Sequence, residues 1–508
     1  KRRELVLIGR DGEDILLWEA PPEWPTLSVQ EPRPLGPRQA ERVIPARTNP
    51  DVTTGTLFLH DIYRGRNLEG VKRGEITDLL VLESLPKPIN FTGGMEPLSY
   101  GGSFTLERIV GTVPVKADGS AHFRLPANRA FFFVALDAEG RSVKRMQSFT
   151  SVMPGETTGC VGCHEQRVEA PANLPARAGR SHALDEAPAL PQPLAGIPDV
   201  MDFPRDIQPV LDAHCVSCHN PDERHGGVLL TGDRGPLYSH SYFTISARRL
   251  VADGRNLPRS NYPPRAIGDS GSPLLQKMDG THHEVTVPAT EQRLIRCWIN
   301  SGAAWPGTYA ALGTGMLGGY AQNQLDRSDL AWPESKAAAE IMETTCRTCH
   351  QAPDMPLPGS PSDNLDMPPW AIDYDSPKLH FSRHIVFNLT RPAKSLLLLA
   401  PLAREAGGYG ACRSADGEAG TGTVFASTDD PRYQTLLTWI GRAATQLETI
   451  KRFDMEGFRP RPEYLREMAR YGIIPNAQAG NAVDPYELDR RYWDLFRYTP
   501  PSAETERP

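Results

Sequence analysis

The stretch SFTLERIVGTVPVKADGSAHFRLPANRAFFFVALDAEGRSVKRMQSFTSVMPGETTGCVGCHE, Ser103–Glu165, decides how the chain is divided. Its greater part places β-branched and aromatic residues in short runs separated by Asp-Gly and Glu-Gly turns, the pattern of paired strands. It then ends on CVGCH, Cys160–His164, and the same spacing returns as CVSCH, Cys215–His219, and CRTCH, Cys346–His350. Six of the eight cysteines therefore stand in three CxxCH motifs, far more than composition would produce by chance.

The chemistry that needs this spacing is covalent c-type haem. Two thiols three positions apart on one helical turn, Cys160 with Cys163, Cys215 with Cys218, and Cys346 with Cys349, reach the two vinyl groups of one macrocycle. The imidazoles of His164, His219 and His350 then lie beneath the iron. A zinc half-site also uses C-x2-C, but zinc gains nothing from a histidine directly after the second cysteine, three times over. The reading is three haems, with an additional zinc or calcium ion left open. Attachment of this kind requires an exported chain, so the expected location is periplasmic or extracellular. Cys297 and Cys412 remain; an oxidising compartment permits a disulfide between them, while Cys297 within RLIRCWI also reads as a small buried apolar residue.

Around that stretch the 508 residues divide into several parts, and the expected fold is multi-domain α+β. Residues 1–50 hold a β-hairpin, ELVLIGRDGEDILLW, and a Pro-rich segment; a lone hairpin is seldom stable, so it is expected to complete β-structure supplied from elsewhere. Residues 51–168 read as a β-sandwich-like domain with TLFLHDIY and EITDLLVLE as further strands, ending in the first motif. A Pro/Ala-rich linker, 169–203, follows.

Two mainly α units, 204–325 and 326–450, repeat one plan, that of a small cytochrome c domain. FPRDIQPVLDAHCVSCH puts Phe203, Ile207, Val210 and Leu211 on one helical face, and EQRLIRCWINSGAAW closes with Leu294, Ile295, Trp298 and Ile299 inward. In the second copy SKAAAEIMETTCRTCH opens and PRYQTLLTWIGRAA closes. A C-terminal extension, 451–508, carries the aromatic and basic RRYWDLFRYTPP, which docks on the chain's own surface or anchors a partner.

The sixth ligands are less determined. For the second haem DGTHHEVTVP stands where many cytochrome c domains have Met-Pro, so His282, preferred over His283, makes a bis-histidine, lower-potential iron. For the third the candidates are His384, His380 and Met367, with His384 preferred because Met367 follows His350 by a short loop. For the first, His122, Met146, Met153, His182 and His240 all remain, as does an open iron where catalysis could occur.

Composition excludes other classes. A charge of −7 without basic blocks argues against nucleic acid, and no apolar run is long enough to span a membrane. GTGMLGG, Gly313–Gly319, lacks the preceding strand of a dinucleotide site and reads as a loop. Redox partner proteins, including other cytochrome subunits of a complex, are expected, and an oligomer stays open.

Over roughly 51–320, the opening stretch with IQPVLDAHCVSCHN and HHEV resembles the hydrazine synthase alpha family of multihaem cytochromes. SRHIVFNLTRPAKSLLLLAPLA and IKRFDMEGFRP are similar to an extension of many relatives. The resemblance implies a preceding β-propeller, which would account for the hairpin, and an extracytoplasmic enzyme that joins nitric oxide and ammonium-derived nitrogen with partner subunits. It also implies a first-motif histidine that can bind zinc while a tyrosine four residues later holds iron. This chain has Val168 there, so His164 is expected to bind its own haem iron. The expectation is accordingly an electron-transfer triheme cytochrome, with a haem enzyme of nitrogen-compound redox chemistry, the first haem open, as the alternative.

Overall fold

The computed structural model describes residues 4–23, 33, 35–37, 42–163, 181–254, 261–315, 317–322, 324–347, 349–350, 357, 377–412, 423–475 and 483–501. It is mixed α+β. Residues 1–46 and 47–508 form two compact units. In the first, β1 (Glu4–Ile8) pairs antiparallel with β2 (Asp14–Glu19) around the Asp-Gly turn, and Ile8, Leu16 and Leu17 are exposed.

In the second unit a four-stranded antiparallel sheet is built from β4 (Asp78–Ser84), β5 (Glu107–Pro114), β7 (Ala130–Leu136) and β8 (Ser142–Arg145), in the order β5-β4-β7-β8. A three-stranded sheet, β6-β3-β9, combines β3 (Thr54–Leu59) with antiparallel β6 (Ala121–Pro126) and parallel β9 (Thr157–Cys160). Leu57, Leu79, Val81, Phe123, Leu125 and Phe131 fill the space between the sheets, so this is a sandwich. The alternating burial of β3 and β6 follows from one solvated face, as their period-2 patterns require.

Strand β4 differs: DLLVLES is buried along its whole middle. Leu79 and Val81 enter the sandwich, while Leu80 and Leu82 enter a second core with Phe203, Ile207, Leu211 and Trp298. The helical region thus packs on the back of the sheet. A π-turn, Phe203–Ile207, leads into α1 (Gln208–His214), and α2 (His240–Ala247) and α3 (Ala289–Asn300) complete that layer. Phe203 meets Trp298 at 5.2 Å and Tyr242 at 5.0 Å between ring centroids. A third core joins α4 (Pro333–Ile341) to α5 (Pro431–Ile450) through Ala338, Met342, Leu436, Trp439 and Ile440.

The segment expected as a linker is bonded to the sandwich in its described part. Ala189 N donates to His122 O at 2.9 Å, Gln192 exchanges bonds with Thr112, and Ile109 N donates to Asp199 O at 2.7 Å. The C-terminal extension forms α6 (Pro462–Arg470) and α7 (Pro485–Asp494) and docks on the chain itself: Trp493 and Tyr492 are buried with Leu85, Leu106 and Tyr309. Among the described residues no helix is long and apolar enough to cross a membrane.

Asp489 anchors that dock. Its carboxylate accepts from Thr308 Oγ1, Tyr309 N and Tyr464 Oη, each at 2.7 Å. Burial outweighs these bonds and raises its pKa from 3.8 to about 6. A carboxyl with a raised folded-state pKa contributes stability at low pH that is lost as pH rises through the folded value. The stability of the parent relative to Asp489→Asn should therefore fall by up to about 3 kcal/mol between pH 4 and pH 6.5, measured by urea unfolding of both proteins across that range.

Candidate functional site

The second and third motifs adopt the same local geometry. In each the histidine N donates to the first cysteine's carbonyl at 3.0 Å and the second cysteine N to that carbonyl at 3.2 Å, for Cys215, Cys218 and His219 and for Cys346, Cys349 and His350. Each follows a helix that delivers it: α1 runs directly into Cys215, and α4 continues through the π-turn Met342–Cys346. Burial pushes the first thiol of each motif, Cys215 and Cys346, up to about 11, so both are protonated at neutral pH.

The first motif is built differently. Cys160 is the last residue of a strand, paired with Leu59, and Cys163 N donates to Arg64 O at 2.7 Å. Both cysteines pack against the sandwich core beside Tyr63 and Val71. The helical turn expected for this motif is thus a strand and a bend. The backbones approach closely: a Cβ on Gly65 would stand 1.9 Å from Cys163 O, and one on Gly162 2.0 Å from Arg64 O. Lys144 Nζ donates to Asn67 O at 2.9 Å; burial lowers its pKa, and the neighbouring Cys163 opposes that shift. His164 lies outside the described residues.

At the second motif the structure brings His219 and His282 together. Their ring centroids are 6.0 Å apart and their planes within 10° of parallel. An iron held by two imidazole nitrogens at about 2 Å each separates the centroids by roughly 6 Å, so this pair fits a bis-histidine iron. His219 Nδ1 donates to His225 O at 3.1 Å, which leaves Nε2 as the ligand atom. Burial first, and neighbouring histidine charge, lower the pKa of both rings, favouring the neutral form that binds metal. His283 is exposed, with a left-handed φ of 49°, and its ring is perpendicular to that of His282.

The third motif opens on a cavity of about 500 Å³, within the ~300–1,000 Å³ of small-molecule and cofactor sites. Leu229, Phe381, Val386, Leu397, Pro401 and Val424 give it apolar walls, and Cys346, Cys349 and His350 lie in them. Of the other candidate ligands, His380 lines the cavity, while the preferred His384 is absent from its lining. His384 is buried, its ring stacked on Phe243 at 5.0 Å and 17°. The apolar slot beside Phe243 takes the His384 ring and keeps it from the cavity lining. Met367 lies outside the described residues.

The remaining candidates are dispersed. His122 stands beside Phe58 at 6.1 Å, a strand neighbour pointing opposite to Leu59, whereas Cys160 shares the Leu59 side of the sheet. His240 is buried and donates from Nε2 to Phe387 O at 2.6 Å. His182 is exposed, Met153 is 52% exposed, and Met146 packs on the core behind the sheet. The eight cysteines form no disulfide: Cys297 is buried on α3, and Cys412 lies in the third cavity wall with Cys346 and Cys349. Among the described residues no group of three or more His, Cys, Asp or Glu side chains is arranged to hold a metal ion, so a separate zinc or calcium site has no support there.

The β domain thus ends in one CxxCH motif, and the helical layers carry two more. A model of the hydrazine synthase alpha subunit middle domain matches residues 90–165, which include the first motif. Hydrazine synthase subunit alpha of Kuenenia stuttgartiensis is 26% identical over 205 residues, covering 30% of this chain and 25% of that protein. The solved Kuenenia stuttgartiensis hydrazine synthase aligns with a TM-score of 0.37 and 19% identity, over 51% of this chain and 44% of that one. The chain is thus similar to the hydrazine synthase alpha subunit over part of its length, and the match spans a quarter of the curated relative.

Docking of the first motif depends on two bare glycines. Gly65→Ala should cost about 1–3 kcal/mol in urea unfolding. Gly94→Ala, where a Cβ meets nothing within 4 Å, should change stability by no more than about 0.5 kcal/mol.

Proposed function

We propose that this chain is an exported c-type haem protein of nitrogen-compound redox chemistry, in which the haem at the first motif reacts and those at the second and third relay electrons. The observation that carries the reading is the family match over residues 90–165, which ends on the first motif and not on the helical units. It shifts the weight from the pure electron carrier expected from composition and motifs to the enzyme.

Bound haem supplies one-electron chemistry and an iron that can accept a small ligand such as nitric oxide. The chain's own residues divide the work. Cys160 and Cys163 would tether one haem to the rigid edge of the sandwich, and Lys144, buried near Cys163, brings a positive charge to that edge. Cys215 and Cys218 would tether the second, with His219 and His282 as its two axial ligands. Cys346 and Cys349 would tether the third, with His350 proximal and His380, which also lines the cavity, as the candidate partner. Two imidazoles leave no coordination position for substrate, so the second site carries electrons and does not bind reactant.

A second reading, a triheme electron carrier without catalysis, is favoured by the His219 and His282 pair and by Val168, where the resemblance implies a tyrosine. Carbon monoxide separates the two. In the dithionite-reduced protein one haem should bind it, seen as a Soret shift, and Cys160→Ala should abolish that response. Absence of any response in the parent protein would leave the carrier and remove the enzyme. Independently, His282→Ala should add one carbon-monoxide-binding haem, and His283→Ala should add none.

A further inference from the structure

Two guanidinium groups stand together in the wall of the cavity at the third motif, and both come from the first helical unit, 204–325. Arg224 lies in the loop after the second motif, and Arg248 directly follows α2. A Cβ on Gly227 would lie 3.5 Å from Arg248 Nη2 and 3.9 Å from Arg224 Nη2, so one glycine separates the two charged ends. Gly227 has φ +69°, and its bare backbone lets both side chains close over it.

Like charges this near each other repel unless an anion lies between them. Arg248 Nη2 donates to Gly227 O at 3.0 Å, and the Arg224 guanidinium lies over the Tyr409 ring at 5.4 Å. Among the described residues neither arginine is in an ion pair, and Arg224 Nε is buried without a hydrogen-bond partner. The remaining cavity wall is almost wholly apolar, so the positive charge is concentrated at one place. An apolar cavity with a charged rim matches an amphiphilic planar ligand, one whose body is hydrocarbon and whose edge carries carboxylates.

We propose that Arg224 and Arg248 form an anion-binding rim that takes the propionate carboxylates of the haem attached at Cys346 and Cys349. The first helical unit then supplies the charge that holds the haem of the second. This rests on the haem reading given above. Guanidinium groups beside the macrocycle stabilise its reduced form, which carries one more negative charge, and so raise its potential.

The test is spectroelectrochemistry of the full chain with Arg224→Gln/Arg248→Gln and Arg224→Lys/Arg248→Lys. The third haem's wave is identified as the one lost in Cys346→Ser/Cys349→Ser. In the glutamine variant that midpoint should shift downward, with the reduced-to-oxidised ratio at the parent midpoint falling several-fold while the other two waves stay in place. The lysine variant should recover most of the shift. Loss of the third haem in the glutamine variant alone, with the lysine variant loaded, supports the assignment equally. Three bound haems with an unmoved third wave in the glutamine variant would overturn the arginine assignment alone. Mass spectrometry showing no haem on the Cys346–His350 peptide of the parent protein would overturn the haem reading and the assignment together.

Discussion

Strand β4 is buried on both faces, and the rest of the 47–508 unit is arranged around that fact. A strand with one wet face needs one apolar partner layer, whereas the run LLVL needs two. Leu79 and Val81 recruit the second sheet of the sandwich, and Leu80 and Leu82 recruit Phe203, Ile207 and Trp298. The helices that deliver the second motif are therefore packed directly on the sheet whose sandwich partner carries the first. Redox sites on such a frame would keep their spacing, because the apolar layers between them are shared.

Charge placement follows the same economy. Glu83, buried at the end of β4, pairs with Arg129 and lies 3.5 Å from Arg108, whose guanidinium also covers the Trp493 ring at 5.4 Å. Arg129 Nη1 in turn donates to Trp493 O at 3.4 Å. A buried carboxylate without these partners would be strongly destabilising, so the C-terminal helix completes an ion network that the sandwich begins. The loop after the second motif has a comparable double role. His225 O fixes the His219 ring, while Arg224 and Gly227 belong to the third cavity.

Local pattern made much of this legible. The runs read as strands become β3 to β8, and Phe203, Ile207, Val210, Leu211, Ile295, Trp298 and Ile299 are buried as their helical spacing requires. His282, singled out by a local comparison with Met-Pro, lies with its ring 6.0 Å from that of His219. What was illegible depends on contacts between distant segments. The extended shape of the first motif comes from pairing with Leu59, about a hundred residues earlier in sequence, and no helical or strand period near Cys160 announces it. Proline and alanine content made 181–203 look like a spacer, yet its carbonyls and amides find partners on β5 and β6. His380 and His384 lie four residues apart on two short helices, so spacing could not separate them; the position of Phe243 does. Arg224 and Arg248 carry no motif, and only the fold sets them around one glycine.

The C-terminal clasp has a consequence for the order of events during synthesis. Helix α7 leaves the ribosome after every other described element, yet Tyr492 and Trp493 cover Leu85 and Leu106, which emerge hundreds of residues earlier. Until then the far end of the sandwich remains uncovered, and Glu83 lacks part of its surroundings. All three pairs of motif cysteines are made before that cover arrives. The nascent chain thus presents its thiols while it is still open, and α7 closes the structure behind them.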